Sequence, residues 1–193
     1  MKKYTKIIFV VAFVVLVISA GITYAAFIDK GKVLGSQFSV GSADIKLLND
    51  LLLGAQPSNL VDEKTGPSFA GIGPNWTDKY LMKIFNNSTG QIRLTSNSNY
   101  LTAEDPDDLR NIIFVEPFVW NDENNNGMLD TGEEGTTYGR KTIVKWKTEG
   151  YDFGLVQAGE TKSLILKFST DSVSDTKQGK SALFDFEFNS TEE

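Results

Sequence analysis

Apolar and polar residues alternate along much of this chain with a period of two, the spacing of a β-strand that buries one face. The clearest case lies near the C-terminus, where Phe184, Phe186 and Phe188 alternate with two acidic residues. Other short runs of this kind, separated by turn-forming residues, predict strands at 37–40, 43–47, 80–85, 92–94, 112–120, 141–147, 153–156 and 161–170. Since no long amphipathic segment of helical period accompanies them, the pattern predicts an all-β fold, an antiparallel sandwich.

Three segments next to these strands have distinct compositions. Residues 86–90, Asn-Asn-Ser-Thr-Gly, are strong turn formers and predict a hairpin that joins the strands at 80–85 and 92–94. Residues 54–75 are rich in Gly, Pro, Ser and Asn and predict a long loop. Residues 47–53 fit either a continued strand or a short helix, and periodicity does not decide between the two.

Two features interrupt the alternation in the second half of the chain. The Asp-Pro pair at 105–106 predicts the capped start of one helical turn. Pro117 predicts a break within the strand at 112–120, because proline has no backbone donor for a sheet ladder. Trp120 and Trp146 lie in strand-like runs, and we expect both to be core residues.

The N-terminus follows a different pattern. Three lysines within the first few residues precede an unbroken apolar run over 7–18, and Thr23 and Ala25 place small residues where a signal peptidase requires them. This predicts a signal peptide over residues 1–25 and export of the remaining chain to the cell surface or extracellular matrix. The alternative is a retained membrane anchor, because uncharged sequence continues to Ile28, about long enough to span a bilayer.

Composition narrows the function further. The chain has no cysteine, so an exported product has no disulfides and depends on packing, ions or assembly for its stability. It also has no histidine, which excludes Ser-His-Asp and Cys-His nucleophile systems and the HExxH zinc site. The net charge is −6 and the basic leader is removed by cleavage, which argues against nucleic acid and anionic lipid as partners. We therefore expect no enzymatic activity.

One segment has the spacing of a specific metal site. Between two predicted strands, a twelve-residue stretch starting at Asp122 places oxygen donors at positions 1, 3, 5, 9 and 12, with Gly127 at position 6, where the chain must turn sharply. Position 7 contributes its backbone carbonyl. The predicted ligands of a structural Ca²⁺ are Asp122, Asn124, Asn126, Met128, Asp130 and Glu133. Leu129, at position 8, is expected to tuck into the core and to anchor the loop.

Alternatives to these assignments remain open at this stage. The calcium segment has no flanking helices, so we predict an EF-hand-like loop inserted between strands, with an affinity on the order of 10⁻⁴–10⁻³ M; the alternative is an Asn/Gly-rich turn that binds no metal. Trp76 lies in a Gly/Pro-rich segment and is either a sugar-stacking platform or a residue at the edge of the core. We assign no pair of carboxylates to a glycosidase site, because acidic residues on a protein surface are usually only solvated.

The two ends of the chain together resemble a known family. Residues that follow the leader include Phe27, Asp29, Phe38, Gly41, Asp44, Ile45 and Leu47. Near the C-terminus, the segments 158–168, 178–181 and 184–188 are similar to the family's closing strands. This arrangement resembles the exported TasA and camelysin proteins, whose leader is cut by a dedicated SipW-type signal peptidase. The resemblance does not include the calcium segment.

The resemblance implies a jelly-roll sandwich that polymerises into fibres of a biofilm matrix. In that family, the segment freed by cleavage leaves its own subunit and completes a sheet of the next one. The corresponding organisation here is a signal peptide at 1–25, a donor strand segment at 26–42 and a β-sandwich domain at 43–193. The expected partners are other copies of this chain and other matrix proteins, with membrane attachment only through an uncleaved leader.

The sequence leaves two alternatives to polymerisation. In the first, the strand freed by cleavage, residues 26–40, folds into its own subunit. In the second, the chain is a monomeric or membrane-anchored surface module that recognises a glycan or a protein through residues 54–76. Camelysin has been described as a metalloprotease, but without histidine this chain has no residues for that activity.

Overall fold

A computed structural model describes residues 32–33, 37–40 and 44–192, the first two segments as backbone. The predicted signal peptide and most of the donor segment lie outside these residues. The strands are β1 (Lys32–Val33), β2 (Gln37–Val40), β3 (Ile45–Leu48), β4 (Leu60–Val61), β5 (Glu63–Thr65), β6 (Phe69–Ala70), β7 (Thr77–Asn86), β8 (Ile92–Asn99), β9 (Phe114–Trp120), β10 (Glu134–Thr137), β11 (Lys141–Thr142), β12 (Tyr151–Val156), β13 (Thr161–Ser169), β14 (Ser181–Ala182) and β15 (Asp185–Glu192).

Short helices complete the described part of the chain. The α-helix α1 spans Ile143–Glu149, and 3₁₀ turns span Pro57–Asn59, Thr102–Glu104 and Leu109–Asn111. The predicted helical turn is present, but it starts at Leu109, with Asp108 as its N-cap, rather than at Asp105. The Asp105 carboxylate accepts the N–H groups of Leu109 at 2.7 Å and Arg110 at 3.1 Å. No helix in the described ranges is both long and apolar enough to cross a membrane.

The strands form two large sheets and one small one. A seven-stranded sheet has the order β10-β9-β13-β7-β3-β4, with β11 also paired to β9, and a five-stranded sheet has the order β12-β8-β15-β2-β5. The small sheet is β14-β1-β6. The pairings are antiparallel except for β1 with β14 and β2 with β15. The prediction of an antiparallel all-β fold is therefore confirmed.

The hydrophobic core lies between the two large sheets. Phe168 of β13 and Phe186 of β15 have ring centroids 5.7 Å apart, so side chains of the two sheets meet directly. Trp146 stacks on Phe186 at 4.5 Å, and Phe188 is fully buried beside them. Fully burying a large apolar side chain contributes about 1.5–3 kcal/mol, so this layer supplies much of the driving force for folding. The alternation seen in 184–188 therefore marks the core strand that the pattern predicts.

The predicted hairpin around residues 86–90 is wrong. β7 pairs with β3 and β13 in the seven-stranded sheet, whereas β8 pairs with β12 and β15 in the five-stranded sheet. The turn takes the chain from one sheet to the other, and the Asn86 amide fixes this crossing by donating to the carbonyls of Gly90 at 2.9 Å and Val156 at 3.0 Å. Strong turn chemistry thus reverses the chain without pairing the strands on either side.

The predicted strand at 141–147 is also wrong beyond its first two residues. Thr142 caps α1, since its hydroxyl accepts the N–H of Lys145 at 3.2 Å, and Gly150, at φ 65°, ends the helix. The buried side chains Ile143 and Trp146 are three residues apart, which is the spacing of a helix rather than a strand. Trp146 is a core residue as expected, but it reaches the core from a helix.

Residues 54–75 are not a continuous loop, because they contain β4, β5 and β6. The preceding residues 47–53 form no helix: β3 ends at Leu48, and bends follow it. The buried Asn59 side chain organises this region, since its amide donates to the carbonyls of Asp50 and Leu53, each at 2.8 Å. A buried asparagine thus replaces the regular hydrogen bonds that a helix would have supplied.

The strand β9 continues through Pro117, so the predicted break is wrong. The Pro117 carbonyl accepts the N–H of Tyr138 at 2.8 Å. Its backbone therefore faces β10 and the residues after it, and the pairing of β10 with β9 is irregular. N–H and C=O of one residue in a strand point the same way, so the missing donor falls where no regular ladder exists.

Candidate calcium-binding loop

The predicted calcium segment connects β9 to β10 and folds back over the outer face of the seven-stranded sheet. Lys83 lies opposite Ser163 in the ladder, and its neighbours Met82 and Ile84 point into the core. Lys83 therefore points outward, as does Trp120, because successive side chains alternate between faces. Both are nonetheless buried, at 7% and 3% exposure, which shows how fully the loop covers this face.

The first predicted ligand, Asp122, forms an ion pair with Lys83. The Lys83 ammonium lies 2.7 Å from Asp122 Oδ2, and the carboxylate side chain is only 3% exposed. The backbone N–H groups of Asn126 and Gly127 donate to Oδ1 at 3.1 Å and Oδ2 at 3.2 Å. Burial alone would raise the pKa of Asp122, but the hydrogen bond and charge of Lys83, together with the two N–H groups, hold that pKa below its usual range.

The middle of the loop brings three further predicted ligands together. The amide groups of Asn124 and Asn126 each donate to Asp130 Oδ2 at 2.8 Å. Their side-chain oxygens accept backbone N–H groups, Asn124 Oδ1 from Asn126 at 2.9 Å and Asn126 Oδ1 from Met128 at 2.8 Å. Positions 3, 5 and 9 of the loop therefore converge on one carboxylate oxygen.

The last predicted ligand, Glu133, closes the loop from the other end. It is buried, at 6% exposure, and its Oε2 accepts the Trp120 indole N–H at 3.2 Å and the Asp130 N–H at 2.9 Å. Trp120 thus contacts both ends of the loop, because Lys83 also lies 4.9 Å from the centre of its ring. The two ends are held together through one lysine and one tryptophan.

Position 6 requires glycine for two reasons. Gly127 has φ 65°, in the left-handed region, and a Cβ placed there would lie 3.0 Å from the Leu51 carbonyl carbon. The segment around Leu51 therefore packs directly on the loop and anchors it. The sequence pattern predicted that Leu129 anchors the loop in the core. Leu129 is only partly buried and lies outside the core cluster, so that expectation is wrong. Met128, whose carbonyl was the predicted ligand, has a side chain that is 61% exposed.

The donor set suits a hard cation in its chemistry, although the carboxylates are spread apart. Within the described chain, no three acidic side chains are grouped closely enough to hold a metal ion. At the two ends of the loop, the carboxylates have other partners: Lys83 pairs with Asp122, and the Trp120 indole N–H donates to Glu133. The side-chain oxygens of Asn124 and Asn126 accept backbone N–H groups, so these residues present N–H groups to Asp130. The loop thus contains oxygen donors of the kind that Ca²⁺ prefers, and its first carboxylate, Asp122, is paired with Lys83.

Trp76 is better explained as a residue at the edge of the core than as a sugar platform. Its ring meets Phe69 edge-on at 5.0 Å, and it packs against the core cluster. A cavity of about 370 Å³ beside it is also lined by Arg140 and Asp171, which are paired to each other at 2.8 Å. These contacts do not show a free apolar face of Trp76 on which a sugar could stack.

The edge of β15 is the second candidate site. On one side, β15 pairs with β8 over its full length, from Asp185 to Glu192. On the other side, Phe186, Glu187 and Phe188 pair with residues 38–40 of β2. β2 continues to β5 through a second short ladder. Residues 38–40 of the predicted donor segment therefore pair with the central core strand within this chain, whereas β1 of the same segment pairs with β14 and β6.

Lys83 is the functional residue that the sequence analysis missed. In the sequence it appears as a polar residue of an alternating strand, and its partner Asp122 lies 39 residues away. A lysine in the middle of an otherwise apolar run was the available signal, since a buried lysine nearly always has a charged partner.

Comparisons with known proteins add little to these observations. No protein-family model matches the chain, and no curated protein matches it. Among solved structures, it is similar to the ASH / PapD-like domain of human CEP192 (PapD-like domain 7), with 10% sequence identity over 79% of this chain and 87% of that domain. The TM-score of this pair is 0.29, which does not establish a common fold.

Proposed function

We propose that this chain is a secreted structural protein whose subunits assemble into extracellular fibres by exchanging the strand β2. The observation that carries the proposal is the edge of β15. A core strand of eight residues pairs on one side with β2, and β2 belongs to the segment that follows the predicted signal peptide. The family resemblance of the chain ends supports the same function, with a jelly-roll connectivity and no enzymatic activity.

An exchange of β2 is physically favourable for two reasons. Without β2, the N–H and C=O groups on this side of β15 would be unpaired, and an unpaired edge next to a hydrophobic core recruits another strand. β2 is also separated from β3 by only residues 41–44, and β3 belongs to the other large sheet. A short connection between two sheets favours a swapped arrangement. Because a head-to-tail contact of this kind does not close on itself, it grows a filament.

We further propose that Ca²⁺ binds the loop of residues 122–133 and stabilises the subunit without taking part in any reaction. Asp122, Asn124, Asn126, Asp130 and Glu133, with the carbonyl of Met128, would hold it. The alternative function, a surface module that binds glycan or protein through residues 54–76, has less support, because this segment forms strands and Trp76 packs on the core.

Engineered cysteines test the strand exchange directly, because the chain has none of its own. Ser39 and Glu187 are direct partners in the β2–β15 ladder, so a disulfide between cysteines at these positions satisfies the required backbone distance. In fibres of the double variant S39C/E187C, exchange predicts disulfide-linked multimers on a non-reducing gel. If β2 stays in its own subunit, the disulfide forms within monomers, and the proposal fails. The single variants S39C and E187C are the controls.

A further inference from the structure

Lys83 occupies an unusual place for a lysine. It lies near the centre of β7, on the outer face of the seven-stranded sheet, and is 7% exposed. Lysines are rarely buried to this degree unless they are paired. The partner here is Asp122, 2.7 Å from the ammonium and almost completely buried. A buried charge pair is costly to break, so this contact fixes the loop on the sheet.

The surroundings of the ammonium are those of a bound cation. Besides Asp122, the Leu51 carbonyl accepts from Lys83 Nζ at 3.2 Å. The third neighbour is the ring of Trp120, whose centre lies 4.9 Å away. A carboxylate, a carbonyl and an aromatic face are all groups that attract positive charge. The loop therefore already contains one cation, supplied by the protein itself.

The position of this cation conflicts with that of a metal ion. Both Asp122 oxygens are engaged, one by Lys83 and the Gly127 N–H and the other by the Asn126 N–H. A Ca²⁺ ion bound to Asp122 would lie close to the ammonium, and the two like charges would repel each other. The loop can therefore bind a metal ion at Asp122 only when the Lys83 ammonium moves away from that carboxylate.

We propose that Lys83 is an internal cation that competes with Ca²⁺ for Asp122 and thereby lowers the calcium affinity of the loop. This inference rests on the calcium role proposed above and is independent of strand exchange. The lysine holds the loop in place at low calcium, and calcium replaces it at high calcium. Such a loop responds only to the millimolar calcium found outside cells.

The structure offers the displaced ammonium a place to go. A surface pocket of about 380 Å³ is lined by Lys83, Leu51, Leu53, Thr161 and Ser163. A lysine can keep its apolar stem in position while its charged end turns toward water or toward polar groups of such a pocket. Since Leu51 contacts both Lys83 and Gly127, calcium binding would also change how the segment at 49–53 packs on the loop.

Lys83→Met is the informative variant, because methionine retains most of the side chain's length and loses the charge. Removing a unit charge this close to the metal should lower the Kd for Ca²⁺ about tenfold or more. Lys79→Met is the matched control: Lys79 lies on the same strand and pairs with Glu134, which follows the last ligand of the loop. Lys83→Arg preserves the charge and should retain an affinity close to that of the wild type.

The experiment measures calcium binding to the secreted chain by isothermal titration calorimetry after removal of bound metal. We expect tighter binding by K83M alone. If K83M folds only in calcium, its unfolding in a series of calcium buffers replaces the titration, and a midpoint below the wild-type Kd supports the proposal. Equal or weaker binding by K83M, or equal tightening by K79M, overturns it. If neither wild type nor K83M binds calcium, the calcium role also fails, whereas the disulfide test of strand exchange is unaffected.

Discussion

Replacing Glu133 by glutamine separates the proposed metal-binding role of this side chain from its role in the fold. Glu133 accepts hydrogen bonds from the Trp120 indole and the Asp130 N–H through one oxygen. Glutamine keeps an acceptor at this place and has nearly the same volume, but it cannot act as a bidentate anionic ligand. Exchanging two charge-assisted hydrogen bonds for two neutral ones should cost about 1–3 kcal/mol in the free energy of unfolding.

The effect of calcium on the wild type follows from mass action. With a Kd on the order of 1 mM, about 10 mM Ca²⁺ stabilises the folded state by RT ln(1 + [L]/Kd), which is about 1.4 kcal/mol. For a domain of this size, about 1.4 kcal/mol raises the melting temperature by about 3–6 °C. Magnesium should have a smaller effect, because it requires a tighter octahedral shell and gives up its water reluctantly.

Differential scanning fluorimetry measures both quantities in one experiment. Wild type and E133Q are melted in EDTA, in about 10 mM MgCl₂ and in about 10 mM CaCl₂. We expect calcium to raise the melting temperature of the wild type and to leave that of E133Q unchanged, with a lower starting value for the variant. A wild-type melt that is the same in calcium and in EDTA would refute the site. A calcium response that survives in E133Q would refute the role of Glu133 as a ligand.

Three further predictions concern stability. Gly127→Ala should cost at least about 1 kcal/mol more than Gly71→Ala in urea unfolding, because the two glycines have similar φ, 65° and 71°, but only at Gly127 would the new Cβ lie 3.0 Å from a backbone carbon. Trp146→Phe should cost about 1–3 kcal/mol by leaving the buried Ser96 hydroxyl without the indole N–H that lies 2.9 Å away, and the loss should shrink when Ser96→Ala is present. Burial raises the pKa of Tyr80 to about 12, so wild type should lose stability relative to Tyr80→Phe as pH rises from about 10, where the unfolded phenol ionises, towards 12.

The strands were predictable where the burial of one face determines every second residue. Phe186 and Phe188 are fully buried while their neighbours are not, so β15 follows from its pattern alone. The sequence pattern did not indicate which of the two large sheets each strand joins. Residues 86–90 are turn formers in either case, and the crossing to the other sheet depends on distant contacts such as that of Asn86 with Val156.

The helix α1 was missed because it is short. It contains seven residues, so the helical spacing of its two buried positions, Ile143 and Trp146, occurs only once and does not stand out in the sequence. The candidate ligands and their order were assigned from the spacing within one loop, and their binding of Ca²⁺ stays a prediction. The contact of Lys83 with Asp122 could not be predicted, because the lysine meets Asp122 only after β7 and β9 have joined β13 in one sheet.

The two proposed sites lie on different sheets, and this separation affects how each can influence the other. The edge of β15 belongs to the five-stranded sheet, whereas the loop covers the outer face of the seven-stranded sheet. Calcium at the loop adds no contact to β2, so it has no direct means of favouring an exchanged over an unexchanged strand, because a ligand shifts an equilibrium only through its differential affinity for the two states. Calcium bound at the loop would instead stabilise each folded subunit, exchanged or not. In a fibre of exchanged strands, metal would therefore affect how firmly each subunit resists unfolding, and the ladder of β2 on β15 would determine whether neighbouring subunits are joined.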